Sequence, residues 1–425
     1  MTLPKFVFAH FMVGNTYPYS IEDWIENIQL AADSNIDGFA LNVGKERWQM
    51  SRVADCFEAA SRAGARILFF LSFDMSSIPA ETESDAQLLL EYLEKFGHHE
   101  KMFRISGKVV VSTFAGENSL FGQPSLDSAW RFIKQHLQDA IRIQVHYLPS
   151  LFIDPARYRE MPCLDGVFHW NGGWPVHLHS GSSRREIECP RLDSDREHIS
   201  HLDGRTYMAA VSPWFFTHYG PDSWDKNWIY RGDDWLFVRR WDFLIQNRRV
   251  IDIVQIISWN DYGESHYLGP IRGAQPNSES WVNGFPHEAW LHLNSYYCYA
   301  FKTGTYPTIA KDTIFMWARP HPRDAQASED AVPKPRHWTL TEDYFWIVIF
   351  AREHASVELS TGEQIRKYQV CKGVNLLSMR LEEGHGMGAR MYREGVTVAE
   401  CVPSGYCFEA HPRTYNFNAF TAMSS

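Results

Sequence analysis

Along the first two thirds of the chain the apolar positions fall into eight short, nearly continuous runs, at 6–14, 36–44, 66–74, 108–117, 143–152, 165–173, 207–216 and 253–261. Runs of this length without strict alternation suit parallel strands buried on both faces. Between them the spacing changes to helical. Residues 21–34 put Ile21, Trp24, Ile25, Ile28 and Ala31 or Ala32 on one face, and 51–64 do the same with Val53, Phe57 and Ala60 before Gly64. Ala129, Phe132, Ile133 and Leu137 repeat the pattern within 126–139, and a last helix is predicted over 286–304. Strands alternating with helices predict an α/β fold, a (β/α)8 TIM barrel over residues 1–307. Residues 172–205 carry little periodicity and read as a long loop over the barrel mouth. Beyond 308 the pattern becomes short β-runs with turn signals, at 313–320, 344–351, 356–362, 375–381 and 387–395, with a polar, proline-bearing loop at 324–336. That stretch, 308–425, predicts a small antiparallel β-sandwich.

Composition narrows the partners. Aromatic residues make up 15% of the 425 positions, with 16 Trp, 19 Tyr and 27 Phe. Many must be core, yet Trp and Tyr are also the rings that offer a flat apolar face with a polar edge. The net charge of -10 comes with no Lys/Arg run, so the footprint that phosphate binding needs is missing and nucleic acid is not expected. No apolar run is long enough to span a membrane. A neutral substrate fits best. The seven cysteines are odd in number and scattered, unlike a disulfide framework. The sequence "MTLPKFVFAHFMVGN" lacks the pattern of a secretory signal. A cytoplasmic protein, or one released without a signal peptide, is the expectation.

In this fold the chemistry stands at the C-terminal ends of the strands. Those positions hold His10, Asn15, Asn42, Asp74, Glu117, His146, Trp170, Asn171, Trp214, Trp259, Asn260, Asp261 and Glu264. The stretch "IISWNDYGESHYLGP" (256–270) runs from a buried strand into Asp261 and Glu264 among Trp259, Tyr262 and Tyr267. Two carboxylates in an aromatic-lined pocket meet the needs of glycoside hydrolysis: one protonated to release the leaving oxygen, one ionised to activate water or attack carbon. Apolar neighbours raise one pKa, while donors such as Asn260 keep the other low. Plainer readings stand beside each residue. Acids in the first turn of a helix complement its dipole, Asp74 could cap a helix, and His10 could be a core histidine. "HWNGGW" (169–174) offers Trp170, Asn171 and Trp174 as a sugar platform or as buried packing, and Asp233 or Asp234 could reach the cleft or be solvated. "HLHS" (177–180) suggests a metal through His177 and His179, but no third ligand accompanies them. No metal or organic cofactor is expected.

The motifs "AHFMVGNTYPYS" (9–20), "DGFALNVG" (37–44), "LFFLSFDM" (68–75), "VSTFAGE" (111–117) and "SWNDYGESHYLGP" (258–270) resemble the fungal α-1,3-glucanases, or mutanases, of glycoside hydrolase family 71. They run through nearly the whole proposed barrel in the expected order. The resemblance implies endo-hydrolysis of α-1,3-glucan with inversion, on a barrel followed by a β-sandwich. It matches the family's acids to Asp74, Asp261 and Glu264. On that basis Glu264 is assigned as general acid and Asp261 as base, with Asp74 orienting the water or sharing the proton work. Which of Asp74 and Asp261 is the base stays open. Trp170, Trp174, Trp214 and Trp259 are expected as subsite platforms, with His10, Asn42, Glu117, Asn171, Asn260 and Tyr262 as further substrate contacts. The alternatives are a glycosidase or transglycosylase of another linkage, and a glucan-binding barrel without catalysis.

Overall fold

The computed structural model describes residues 4–425. Eight parallel strands form one sheet: β1 (Phe6–Met12), β2 (Gly38–Val43), β3 (Leu68–Asp74), β4 (Lys108–Phe114), β5 (Val145–Tyr147), β6 (Gly166–His169), β7 (Thr206–Val211) and β8 (Ile253–Ile256). Their order is β5-β4-β3-β2-β1-β8-β7-β6, with Arg104–Ile105 as a short antiparallel addition beside β4. Each lies inside a run predicted from sequence, except that β7 begins one residue earlier, at Thr206. The sheet curls, and two backbone hydrogen bonds bridge the segments around its outermost parallel strands. There the Asp165 N–H donates to the Tyr147 carbonyl at 3.0 Å and the Phe168 N–H to the Pro149 carbonyl at 2.8 Å.

Helices cover the outside of this sheet because their apolar faces need a partner. α1 (Ile21–Asp33) starts at a reciprocal cap between Ser20 and Asp23 and buries Trp24, Ile28 and Ala31. α2 (Gln49–Ala63) ends at Gly64, whose φ of 66° favours glycine. The strands are shorter than the apolar runs that predicted them, since the polar and aromatic ends turn away from the ladder. Trp170 and Asn171, for example, sit in a 3-10 turn after β6. The stretch 172–205 also holds two short helices, Arg184–Glu188 and Asp195–Ser200.

The C-terminal part contains two four-stranded antiparallel sheets. One comprises Gly373–Arg380, Tyr344–Ala351, Thr313–Ala318 and Phe420–Met423; the other comprises Gln364–Val370, Ala355–Thr361, Gly388–Arg393 and Val396–Cys401. Alternation along the first sheet explains its role. Ile314, Met316, Phe345 and Ile347 share a core with Val357, Leu359 and Met391 of the second sheet. Phe315, Trp317, Trp346 and Val348 face the other way, into the core that contains the parallel sheet. Three C-terminal strands escaped the sequence reading. Gln364–Val370 is mostly exposed and polar at a sheet edge, where no apolar face marks it.

A buried ionic cluster joins the two parts. Asp233 is fully buried, 2.7 Å from Arg319 and 3.4 Å from Arg231, and accepts the Glu342 N–H at 2.9 Å. Asp234 pairs with Arg231. Neither acid lines the cleft described below. Their charge is spent on holding the C-terminal strands in place.

Candidate functional site

The turn after β8 folds back on itself. The Ser258 N–H donates to the His266 carbonyl at 2.8 Å, the Leu268 N–H to Ser258 at 2.9 Å, and the Gly269 N–H to Trp259 at 2.8 Å. This holds Asp261 and Glu264 at the tip of a short loop. Gly263 lies between them because Tyr219 crosses there: a Cβ at 263 would lie 1.8 Å from the Tyr219 hydroxyl oxygen. Asp261, Glu264, Asp74, Asn15, Tyr219, Trp224 and Lys226 line one cleft of about 410 Å³. Three carboxylates read from sequence thus meet in one place. Asp74 ends β3, and its Oδ1 accepts the Ser76 N–H at 3.1 Å.

The partners of Asp261 and Glu264 differ. Glu264 Oε1 takes the Lys226 ammonium at 3.2 Å, and its Oε2 pairs with His266 Nε2 at 3.1 Å. An ionised carboxylate only accepts, so Nε2 is the donor. The other ring nitrogen, Nδ1, is 3.0 Å from Ser258 Oγ, which also accepts the Asp261 N–H at 2.9 Å. The Asp261 carboxyl stands farther from these two side chains, 3.9 Å from His266 Nε2. Desolvation raises both acids. For Asp261 the neighbouring Glu264 charge adds to it, and the pKa is raised to about 6. For Glu264 the His266 hydrogen bond and the Lys226 charge outweigh burial, and the pKa is lowered to about 2. Lys226 is correspondingly raised, chiefly by Glu264. The two contacts on Glu264 favour its ionised form, and its charge favours the protonated form of Asp261.

Lys226 and Trp224 arrive on a hairpin, Phe216–His218 paired with Asn227–Ile229, that follows β7. The loop at 324–336 straps this hairpin down. His218 Nε2 is 2.9 Å from Asp330 Oδ2, the Arg336 N–H donates to the Asn227 carbonyl at 3.1 Å, and the Ile229 N–H returns to the Arg336 carbonyl at 3.1 Å. The C-terminal part therefore supports the cation that faces Glu264. Lys226, His266, Tyr219 and Trp224 were missed from sequence. The histidine was visible in "GESHY", two residues past Glu264. The lysine carried no signal, being 38 residues away.

Most of the expected substrate contacts sit elsewhere. Trp259 is fully buried and its Nε1–H donates to Asn27 Oδ1 at 2.6 Å; Trp214 is buried, donates to the Phe417 carbonyl at 2.9 Å and lies under Arg319. Trp174 donates to the Trp214 carbonyl at 2.8 Å and packs beside His266, while Trp170 is buried against His10 and Phe114. None of the four presents a free face; the apolar bulk that suggested platforms fills the core instead. Asn260 is also buried, with both ends of its amide engaged by the Met12 backbone at 2.7 and 3.1 Å, so it restrains β1 and not a carboxylate. His10 is buried, and desolvation holds its pKa down at about 3, the behaviour of a core histidine. Asn42 is buried near the Ser72 carbonyl, and Glu117 accepts the Phe152 N–H at 3.3 Å. Asn171 lies in the 3-10 turn after β6 and is not among the cleft residues. Tyr262 lines the cleft, but its hydroxyl bonds the Pro270 and Arg272 carbonyls at 2.8 Å each.

Asp261, Glu264 and His266 offer ligand atoms within 4.8 Å of one another, the one such trio among the described residues. A cation there would compete with the Lys226 ammonium and the His266 bond, which already engage both Glu264 oxygens. His177 and His179 belong to no trio. Among the described residues no helix is long and apolar enough to cross a membrane. All seven cysteines are free thiols.

A cleft lined by three carboxylates at the strand ends of such a sheet has the groups a glycoside hydrolase needs. The chain belongs to glycosyl hydrolase family 71, whose model matches residues 4–425. It is 35% identical to the glucan endo-1,3-alpha-glucosidase agn1 of Schizosaccharomyces pombe, over 99% of this chain and 94% of that one. It is 30% identical to the mutanase Pc12g07500 of Penicillium rubens, over 99% and 89%. The ascus wall endo-1,3-alpha-glucanase of S. pombe is 31% identical over 84% of this chain and 81% of its own. Among solved structures, the GH99 endo-alpha-mannosidase of Bacteroides thetaiotaomicron superposes with a TM-score of 0.49 at 10% identity, covering 71% of this chain and 98% of that one.

Proposed function

We propose that this enzyme hydrolyses α-1,3-glucan internally, with inversion at the anomeric carbon, through Asp261, Glu264 and Asp74. The observation that carries the reading is the convergence of these acids in one cleft, two of them with unlike partners. Family membership and the names of the relatives support the linkage.

The charge states favour exchanging the roles first assigned to the pair. Glu264, engaged by Lys226 and His266, is an anion in the resting enzyme, and its charge keeps the proton on Asp261. Asp261 is then the general acid. One of its oxygens and one of Glu264 lie within 4.8 Å, closer than the about 6.5–9.5 Å between carboxyl groups that leaves room for a water between an inverting acid and base. The base is therefore assigned to Asp74, which enters the cleft from β3, three places around the sheet from β8. Asp261 gives its proton to the glycosidic oxygen as the bond to C1 breaks. Water bonds to C1 from the opposite face and loses its proton to Asp74. Glu264 stays ionised and stabilises positive charge developing on the sugar.

The architecture inferred is a (β/α)8 barrel over 1–307, closed between β5 and β6, followed by a β-sandwich over 308–425. The two bridging hydrogen bonds support closure, and the shared apolar core of the two C-terminal sheets supports the sandwich. A panel of α-1,3-, α-1,4-, β-1,3- and β-1,4-glucans, followed by product sizing, tests the substrate. Release of mixed oligosaccharides from α-1,3-glucan alone is expected. Cleavage of a β-glucan with none of α-1,3-glucan would overturn the reading.

A further inference from the structure

Six aromatic rings are exposed among the described residues: Tyr17, Trp48, Phe152, Trp224, Tyr299 and Tyr306. Four of them, Tyr17, Trp48, Phe152 and Trp224, stand in segments leaving the C-terminal ends of β1, β2, β5 and β7, on the face of the sheet that carries the carboxylates. Exposed rings are thus concentrated where a polysaccharide would lie. Trp224 belongs to the cleft itself.

Tyr17 and Trp48 are a separate pair. They are 64% and 41% exposed, with centroids 6.3 Å apart and planes at 87°. The segments that carry them abut the cleft. Asn15, two residues before Tyr17, lines it, as does Ser77. The loop bearing Trp48 packs on Ser77 so closely that a Cβ on Gly44 would lie 3.1 Å from its Oγ. That loop is fixed: the Gly44 N–H donates to Gln49 Oε1 at 2.9 Å, and Ser51 Oγ donates to the Trp48 carbonyl at 2.8 Å. A large ring held in water on a fixed loop keeps its stacking face available without paying to order it on binding. In the strand order β2-β1-β8-β7, the pair flanks the β8 carboxylates on one side and Trp224 on the other.

We propose that Tyr17 and Trp48 form a distal binding platform for glucose units of the same polymer chain, beyond those held in the cleft. The proposal rests on the glucanase reading above, and its occupant follows from continuity: a chain cut internally must leave the cleft in both directions. Trp224 receives it on the β7 side and the pair on the β1–β2 side.

The test compares wild type with Trp48→Ala, Tyr17→Ala and Trp48→Phe on α-1,3-gluco-oligosaccharides of increasing length and on the polymer, with melting temperature as the check on folding. Loss of one stacked ring lowers kcat/KM on the longest substrates by about threefold to tenfold, and the deficit shrinks as the substrate shortens. Trp48→Phe restores most of it. A deficit equal at all lengths, or none, would overturn the platform while leaving the glucanase reading intact. Failure of wild type to cleave any α-1,3-glucan would overturn both.

Discussion

Lys226 Nζ lies 3.2 Å from Glu264 Oε1, while His266 Nε2 takes the other oxygen at 3.1 Å. Two donors on one carboxylate leave its partner Asp261 without a close cation, and this asymmetry separates an anion from an acid within a single loop. Because Asp261 titrates near 6, kcat/KM should decline as pH rises through that value and the donor loses its proton. Lys226 lowers the Asp261 pKa, so Lys226→Met should move the decline to higher pH. A pH profile of kcat/KM for both proteins checks this; an unmoved limb would remove Lys226 from the electrostatics of the pair.

Leaving-group dependence separates the roles. Asp261→Asn should lose about 10²–10⁴-fold on glucan yet recover much of that on an α-1,3-gluco-oligosaccharyl fluoride, whose leaving group needs no proton. Asp74→Asn should stay impaired on both substrates. If Glu264→Gln shows the recovery and Asp261→Asn does not, the acid is Glu264.

The strap from the C-terminal part is open to a direct test. Asp330 accepts the Tyr415 N–H at 2.7 Å besides meeting His218 at 2.9 Å, and the hairpin it holds ends in Lys226. Asp330→Asn should lower stability by about 2 kcal/mol. It should also lower kcat in the folded protein and add little to Lys226→Met in the double variant. Thermal melts with a double-mutant cycle on kcat measure both. Lost stability with unchanged kcat would make the strap structural alone.

Trp214 and Trp259 provide the contrast with the exposed rings. Each is fully buried with its indole N–H bonded, so truncation to alanine should cost about 3–5 kcal/mol of stability. KM of the molecules that remain folded should hardly change. Denaturant unfolding with steady-state kinetics distinguishes this from a subsite role, which would raise KM at little cost in stability.

How much was legible depended on the range of the interaction. The eight parallel strands were readable because burial on both faces leaves an apolar run, as in "RILFFLSFD". The acids were readable because they follow such runs. Burial of an individual ring was not: Trp259 and Trp48 look alike in sequence, yet one is at 0% exposure and the other at 41%. That difference is set by which turn folds inward. The partner of Glu264 was equally hidden, since Lys226 is brought to it by a hairpin held from 112 residues farther along, where Asp330 meets His218. The charge state of the pair, and with it the choice of acid, depended on those contacts.

The most direct test of the account is the anomeric form of the first product. Purified wild type, Asp261→Asn and Asp74→Asn are incubated with α-1,3-gluco-oligosaccharides, and new reducing ends are followed by NMR before mutarotation. The account predicts β-anomer from wild type and at most traces from either variant. Initial α-anomer from wild type, or release by Asp261→Asn at the wild-type rate, would contradict it.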